Sequence, residues 1–509
     1  MISLVTSPPP VLPLRFNMAA HVLSAGAQTP DKDALHLVST TGAESYTYGR
    51  LIASVRGVAT GLLAFGLQPG DRILMRLDNS VDFPVLFLAA ITAGLIPVPT
   101  SAQLTAPEVA KLCHAVAPAL IVAACGVAVP EAPPCPVLPV LDLTAMADLP
   151  PADYAMGDPN RLAYIIFTSG TSGRAQPVAH AHRAILGRSL MLQGWYGLTP
   201  EDRLMHAGAF NWTYTLGTGL MDPWTMGATA LIPAAGVAAA DLPLLLETHA
   251  ATLFAAAPGI YRQMMRARLP ALPHLRHGLS AGESLPPALR DQWRAATGTD
   301  IHEALGMSEI STFISGAPSR PAPEGTTGFA QPGRTIAVLD ETGTPVPRGV
   351  PGTLAVGRAD PGLFLGYFND AEATAARFSG DWYLTGDTVQ MEESGSIRYL
   401  GRDDDMMNAG GFRVSPLEVE TALAAFPGMG PCAVVEHEVR PGTTIIACLY
   451  TAPVALDDAA LQAFAAARLA RYKQPRLYQH TDQLPQGGNG KINRRLARHI
   501  LANAPVPGL

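Results

Sequence analysis

From Asp33 to about residue 300 the chain keeps switching between two hydrophobic periods, and that alternation limits its fold more than any other feature. "YTYGRLIASVRGVATGLLAFGL" sets Leu51, Val55, Val58, Leu62 and Leu63 at helical spacing. "DRILMRL" follows as a short strand, "VDFPVLFLAAITAGLIPVP" as a buried helix ending at Gly94, and "PALIVAAC" as a second apolar strand. The theme resumes in "LAYIIFTSG", "RLMHAGA", "GATALIPAA", "ATLFAAAP" and "RHGLSAGESLPPALRDQWRAATG". Short apolar strands separated by helices call for a parallel sheet covered on both faces, so the expected class is α/β.

From about Gly325 the character changes. "GFAQPGRTIAVLDETGTPVPRGVPGTLAVGR" is rich in Gly, Pro, Thr and Val with turn signals, which predicts a small β-unit. Beyond the charged "GRDDD", the segments "SPLEVETALAAF", "AVVEHEV", "TTIIACLYT" and "DAALQAFAAARLARY" read as a separate α+β unit. At 509 residues the chain exceeds what one core usually serves. The expectation is a large N-terminal domain, residues 1–403, of stacked α/β subdomains plus a small β-barrel-like subdomain. A small mobile α+β C-terminal domain, residues 404–509, follows it.

Several function classes fall away. A formal charge of -7 with no basic stripe argues against nucleic acid as a partner. The five cysteines are odd in number and form no CxxC pair, which suits reduced thiols rather than a disulfide framework or zinc site. The N-terminal "MISLVTSPPPVLPLRF" is broken by four prolines and has no secretory pattern. No run approaches the roughly 18 apolar residues of a membrane helix. A cytoplasmic protein without a membrane partner is expected; oligomeric state stays open, a homodimer included.

"FTSGTSGRAQPV" is the first stretch with chemistry in it. It leaves an apolar strand and brings Thr168, Ser169, Gly170, Thr171, Ser172 and Gly173 together. Small residues let backbone N–H groups converge on an anion, and hydroxyls add donors. By itself the pattern is equally a Ser/Gly turn. It is joined in order by "LGMSEIS", "YLTGD", "GRDDDMMNAGGFRVSPLEVE" and "GNGKINRR". Together these resemble the core motifs of the acyl-adenylate-forming superfamily, with acyl- and aryl-CoA synthetases, peptide-synthetase adenylation domains and luciferases among its members. The likeness leans towards aryl-CoA ligases of the benzoate type.

That resemblance implies ATP, Mg2+ and coenzyme A, a carboxylic acid substrate and an acyl-AMP intermediate. It implies that Lys491 bridges the acid and the α-phosphate, that Glu309 holds magnesium, and that Thr171 and Ser308 lie near the phosphates. Asp387 would hold the ribose hydroxyls, and Arg402 would contact ribose or phosphate. Gly282, Glu283 and Ser284 would lie against adenine; Leu305, Gly306 and Met307 would cover its other face, Leu305 standing where many relatives carry tyrosine. Asp404 would be the hinge, Gly410 and Gly411 would line a pantetheine tunnel, and Arg413 would approach a phosphate. Phe210, Trp212, Tyr214 and Thr312 would shape a pocket for a small aromatic or short-to-medium aliphatic acid. Asn408 stands where benzoate-type enzymes can carry lysine.

The loop departs from its relatives. Where their lysine and next glycine fall, this chain has Gln176 and Pro177, with Arg174 two positions from the lysine site. Weaker ATP handling with surviving carboxylate chemistry is the expectation. A carrier-loading adenylation enzyme and a weakly active adenylate-binding regulator remain alternatives at this level.

Overall fold

The computed structural model describes residues 1–169, 175–282, 285–402, 407–409, 412–414, 416–440, 443–485, 492 and 494–502. Among these the largest sheet has nine strands. Its six parallel members run side by side in the order Asp33–Ser39, Thr229–Pro233, Arg203–His206, Leu253–Ala256, His277–Ala281 and Ile301–Met307. Antiparallel strands close both ends, Gly42–Thr47 on one and Ser311–Ser315 with Phe329–Ala330 on the other. A second, four-stranded parallel sheet carries Arg72–Arg76 at its centre. The predicted α/β class and the split into a large N-terminal and a small C-terminal domain are both observed.

Helical periodicity explains what covers these sheets. In Tyr48–Ala64 the side chains of Leu51, Val55, Val58 and Leu62 are buried, whereas Leu63, counted on the same face from sequence, points outward. The helix Asp82–Thr92 is buried from Phe83 onward, because apolar side chains surround it on all sides. The tail of that apolar run is not helix: Ile96–Pro99 forms a strand parallel to Arg72–Arg76.

The β-unit expected after Gly325 is a six-stranded antiparallel sheet, in which Pro351–Gly357 pairs with Trp382–Met391. In the C-terminal domain Cys432–Arg440 pairs antiparallel with Thr443–Tyr450, and Leu477–His480 adds in parallel. Val419, Leu423, Val434, Ile446 and Leu461 form its own core.

One carboxylate ties the two domains. Glu108 lies in the first turn of the helix Ala106–Val116 and accepts from the Thr105 N–H and hydroxyl, both at 2.9 Å. Its other oxygen accepts from the Ala470 N–H and from Lys473 Nζ, each at 3.4 Å. Lys473 also donates to Glu418 at 2.7 Å. Among the described residues no helix is long and apolar enough to cross a membrane.

Candidate active site

The strands Leu162–Ser169 and Ala175–Ala181 form a hairpin in which Thr168 opposes Gln176 and Phe167 opposes Pro177. Its tip carries Gly170, Thr171, Ser172, Gly173 and Arg174, which lie outside the described residues, as do Glu283, Ser284, Asp404, Gly410, Gly411 and Lys491. At the base of the tip, Gln176 buries its Oε1 without a hydrogen-bond partner. A polar atom left dry in this way is costly.

His180, on the returning strand, joins this hairpin to the "GMSE" turn. Its ring stacks on Tyr164 with centroids 4.8 Å apart, and its Nε2 lies 2.8 Å from the Ser308 carbonyl oxygen, to which it donates. Burial pushes its pKa down to about 4, so the ring is neutral at pH 7. The turn itself joins Ile301–Met307 to the antiparallel Ser311–Ser315, with an irregularity at Leu305/Gly306. Gly306 is needed there: a side chain would meet the Ser311 carbonyl oxygen at 2.5 Å.

Glu309 is buried within this turn. The Tyr367 hydroxyl donates to its Oε1 at 2.9 Å, and its own carbonyl accepts from the Phe364 N–H at 2.8 Å. Burial, then the neighbouring Glu309 carboxylate, holds the Tyr367 phenol well above its usual value, so it stays a donor. Tyr383 donates to the Met307 sulfur at 3.6 Å and fixes the near end of the turn. Among the described residues no cluster of three or more His, Cys, Asp or Glu side chains could hold a metal alone. A magnesium ion that brings phosphate oxygens needs only one or two carboxylates, and Glu309 with one oxygen committed to Tyr367 fits that demand.

Two residues assigned to ribose come together. Asp387 and Arg402 are direct cross-strand partners, and Asp387 is buried. The two candidate adenine stretches also follow neighbouring strands: Ala281 pairs with Ala304, the residues just before Gly282 and Leu305. Leu305 is half-buried against the cluster containing Met307 and Ile314.

Sequence reasoning missed Glu303 at this edge. Its carboxylate accepts from the Leu285 N–H and from Arg290 Nη2, both at 3.3 Å. Burial raises its pKa to about 7, against the partial counter-effect of Arg290. The available signal was an acidic residue within the short strand Ile301–Met307.

The four pocket candidates separate. Phe210 is buried, 1% exposed, with its ring 5.2 Å from Phe83. Tyr214 donates to the Leu279 carbonyl oxygen at 3.1 Å, with the His206 ring 4.4 Å away. Trp212 meets Tyr214 edge-on at 5.4 Å and stacks on Phe412 of the C-terminal domain at 6.1 Å. Phe412 in turn stacks on Tyr472 at 4.1 Å. Thr312 is buried, and its hydroxyl has no partner.

Behind Tyr214 lies a second group not foreseen from sequence. Arg188 Nε donates to Asp222 Oδ1 at 2.9 Å, and Nη2 to Asp222 Oδ2 at 2.5 Å. Nη2 also reaches Tyr196 at 3.3 Å and Thr218 at 3.2 Å, and Nη1 donates to the Ser311 hydroxyl. Burial opposes the arginine's charge, but Asp222 more than offsets it and raises the pKa. An arginine in the apolar "AILGRSLML" was the only hint.

The described residues thus bring together a hairpin tied to a buried acidic turn by His180 and, on separate paired strands, Asp387 and Arg402. The chain belongs to the AMP-binding enzyme family: that family's model matches residues 23–368, and the model of the AMP-binding enzyme C-terminal domain matches 418–491. It is 30% identical to benzoate–CoA ligase of Thauera aromatica, over 96% of this chain and 97% of that one. It is 29% identical to 3-hydroxybenzoate–CoA ligase of Aromatoleum sp. (strain CIB), over 90% and 92%. A benzoate CoA ligase from Burkholderia xenovorans LB400 superposes with a TM-score of 0.70 at 28% identity, over 95% of this chain and all of that one. The o-succinylbenzoate CoA synthetase of Bacillus subtilis shares the fold with a TM-score of 0.84 at 20% identity, over 95% and 99%.

Proposed function

We propose that the chain is an ATP-dependent, AMP-forming acid–CoA ligase acting on a small aromatic acid. The observation that carries this reading is the seating of Phe412 on Trp212. It sets the paired C-terminal strands Met407–Ala409 and Phe412–Val414 against Trp212, a residue we assign to the acid pocket. Relatives that carry benzoate and 3-hydroxybenzoate in their names support an aromatic acid.

The chemistry has two steps. The acid's carboxylate attacks the α-phosphorus of ATP, forming acyl-AMP and expelling pyrophosphate. A CoA thiol then loses its proton, attacks the acyl carbonyl and expels AMP. Two anions meet in the first step, so cationic charge must be in place before they approach. Lys491, on the C-terminal domain, is the group we assign to that task. Magnesium, when bound with ATP, would be held by Glu309 and would neutralise phosphate charge. Glu309 is aimed by Tyr367, Ser308 is held by His180, and Asp387 is a buried acceptor suited to two ribose hydroxyls. For the second step the hairpin turn takes Lys491's place near the acid, with Asp404 as the proposed pivot.

Pyrophosphate exchange over a panel of aromatic and aliphatic acids, repeated with CoA while AMP and thioester are followed, tests this. Exchange with benzoate-like acids and CoA-dependent thioester formation are expected. Lys491→Ala should abolish exchange and leave thioester formation from supplied acyl-AMP within about threefold. Equal loss of both steps would contradict the assignment of the two poses.

A further inference from the structure

We propose that Arg188, locked to Asp222, is a positioning residue that sets the acid pocket by holding Ser311. The proposal rests on the ligase reading above. Arg188 and Asp222 are 4% and 1% exposed. The pair sits between the two stretches that supply the pocket candidates. On one side it grips Thr218 and Tyr196, next to the turn that Tyr214 begins; on the other it grips Ser311, whose neighbour is Thr312.

Two features tie the guanidinium to this place. Gly217 leaves room for it: a side chain there would meet Arg188 Cζ at 2.0 Å. Ser311 adopts φ +68°, a left-handed conformation unusual for a residue other than glycine, and the arginine accompanies it there through the Ser311 hydroxyl. Glu309 has anchors of its own in Tyr367 and the Phe364 N–H, so loosening Ser311 falls on Thr312 rather than on the carboxylate. The Thr312 hydroxyl, buried and without a partner, is the polar atom this wall has ready for the acid.

Ser311→Gly separates positioning from structure. Glycine takes φ +68° without strain, which offsets part of the cost of leaving Arg188 Nη1 without its partner, so the enzyme should stay folded with its melting temperature lowered by only a few degrees. The acid KM should rise about tenfold as Thr312 loses its fixed position, with the ATP KM within about twofold. Arg188→Lys, which keeps charge without the planar fork, should show a smaller rise of the same kind. An unchanged acid KM in an active Ser311→Gly enzyme overturns the proposal alone, as does a parallel rise in the KM values for acid and ATP. A wild-type chain inactive on every acid overturns the ligase reading, and this proposal with it.

Discussion

Replacing Glu303 with glutamine should change how the stability of the large domain depends on pH, in an amount the structure fixes. The carboxyl ionises at about 7 in the fold, against an ordinary value of 4.5. Between those values the folded chain binds the proton more tightly than the open chain. Stability therefore falls as pH rises through this window, and the penalty is complete above about pH 7. The difference corresponds to about 3 kcal/mol, roughly two-thirds of it developing between pH 5 and 7. Buried histidines act in the opposite sense. His180 and His206 are held down at about 4 and about 3, chiefly by burial, so they cost stability as pH falls below 6.5. That contribution is common to both proteins and cancels in their difference. All five tryptophans precede residue 403, so their fluorescence reports the large domain. In urea titrations followed this way, Glu303→Gln should gain on the wild type by about 3 kcal/mol between pH 4.5 and 8. A difference flat to within about 0.5 kcal/mol would refute the claim that this carboxyl is buried without full compensation.

Gln176→Lys should lower the Michaelis constant for ATP in steady-state assays, because it restores a point charge at the base of the hairpin tip and removes a dry amide oxygen. An unchanged constant would mean that Arg174 already supplies that charge. Gly217→Ala should destabilise the domain by about 1–3 kcal/mol, since the methyl group collides with a guanidinium fixed on four partners. A thermal melt reads this directly, and a shift under 1 °C would contradict it.

Much of this architecture was legible from apolar periodicity. The helix Tyr48–Ala64 and the strands Leu162–Ser169 and His277–Ala281 follow from side chains that must be hidden at spacings of 3.6 or 2. Asp387 and Arg402 were each assigned to the nucleotide, and their strands pair them directly. Features that depend on distant partners were not legible. Arg188 acquires meaning only from Asp222, 34 residues away, and from a serine 123 residues away. Glu303 acquires its raised pKa from packing, not from composition. Phe210 packs its ring on Phe83, far from it in the chain, a contact that the local cluster of aromatics does not reveal. The end of the buried helix near Gly94 was legible, but the short strand Ile96–Pro99 was not, because two prolines in four residues argue against a strand until its parallel partner Arg72–Arg76 is known.

The double use of Glu108 bears on how the small domain comes and goes. When Lys473 withdraws, Glu108 still has the Thr105 N–H and hydroxyl, and Lys473 still has Glu418. Neither ion is stranded by the parting, so undocking escapes the several kcal/mol that usually bind a buried pair together. If the proposed two poses hold, this contact would act as a latch with a spare catch on each side, holding the small domain where it is seen here without a large cost of release.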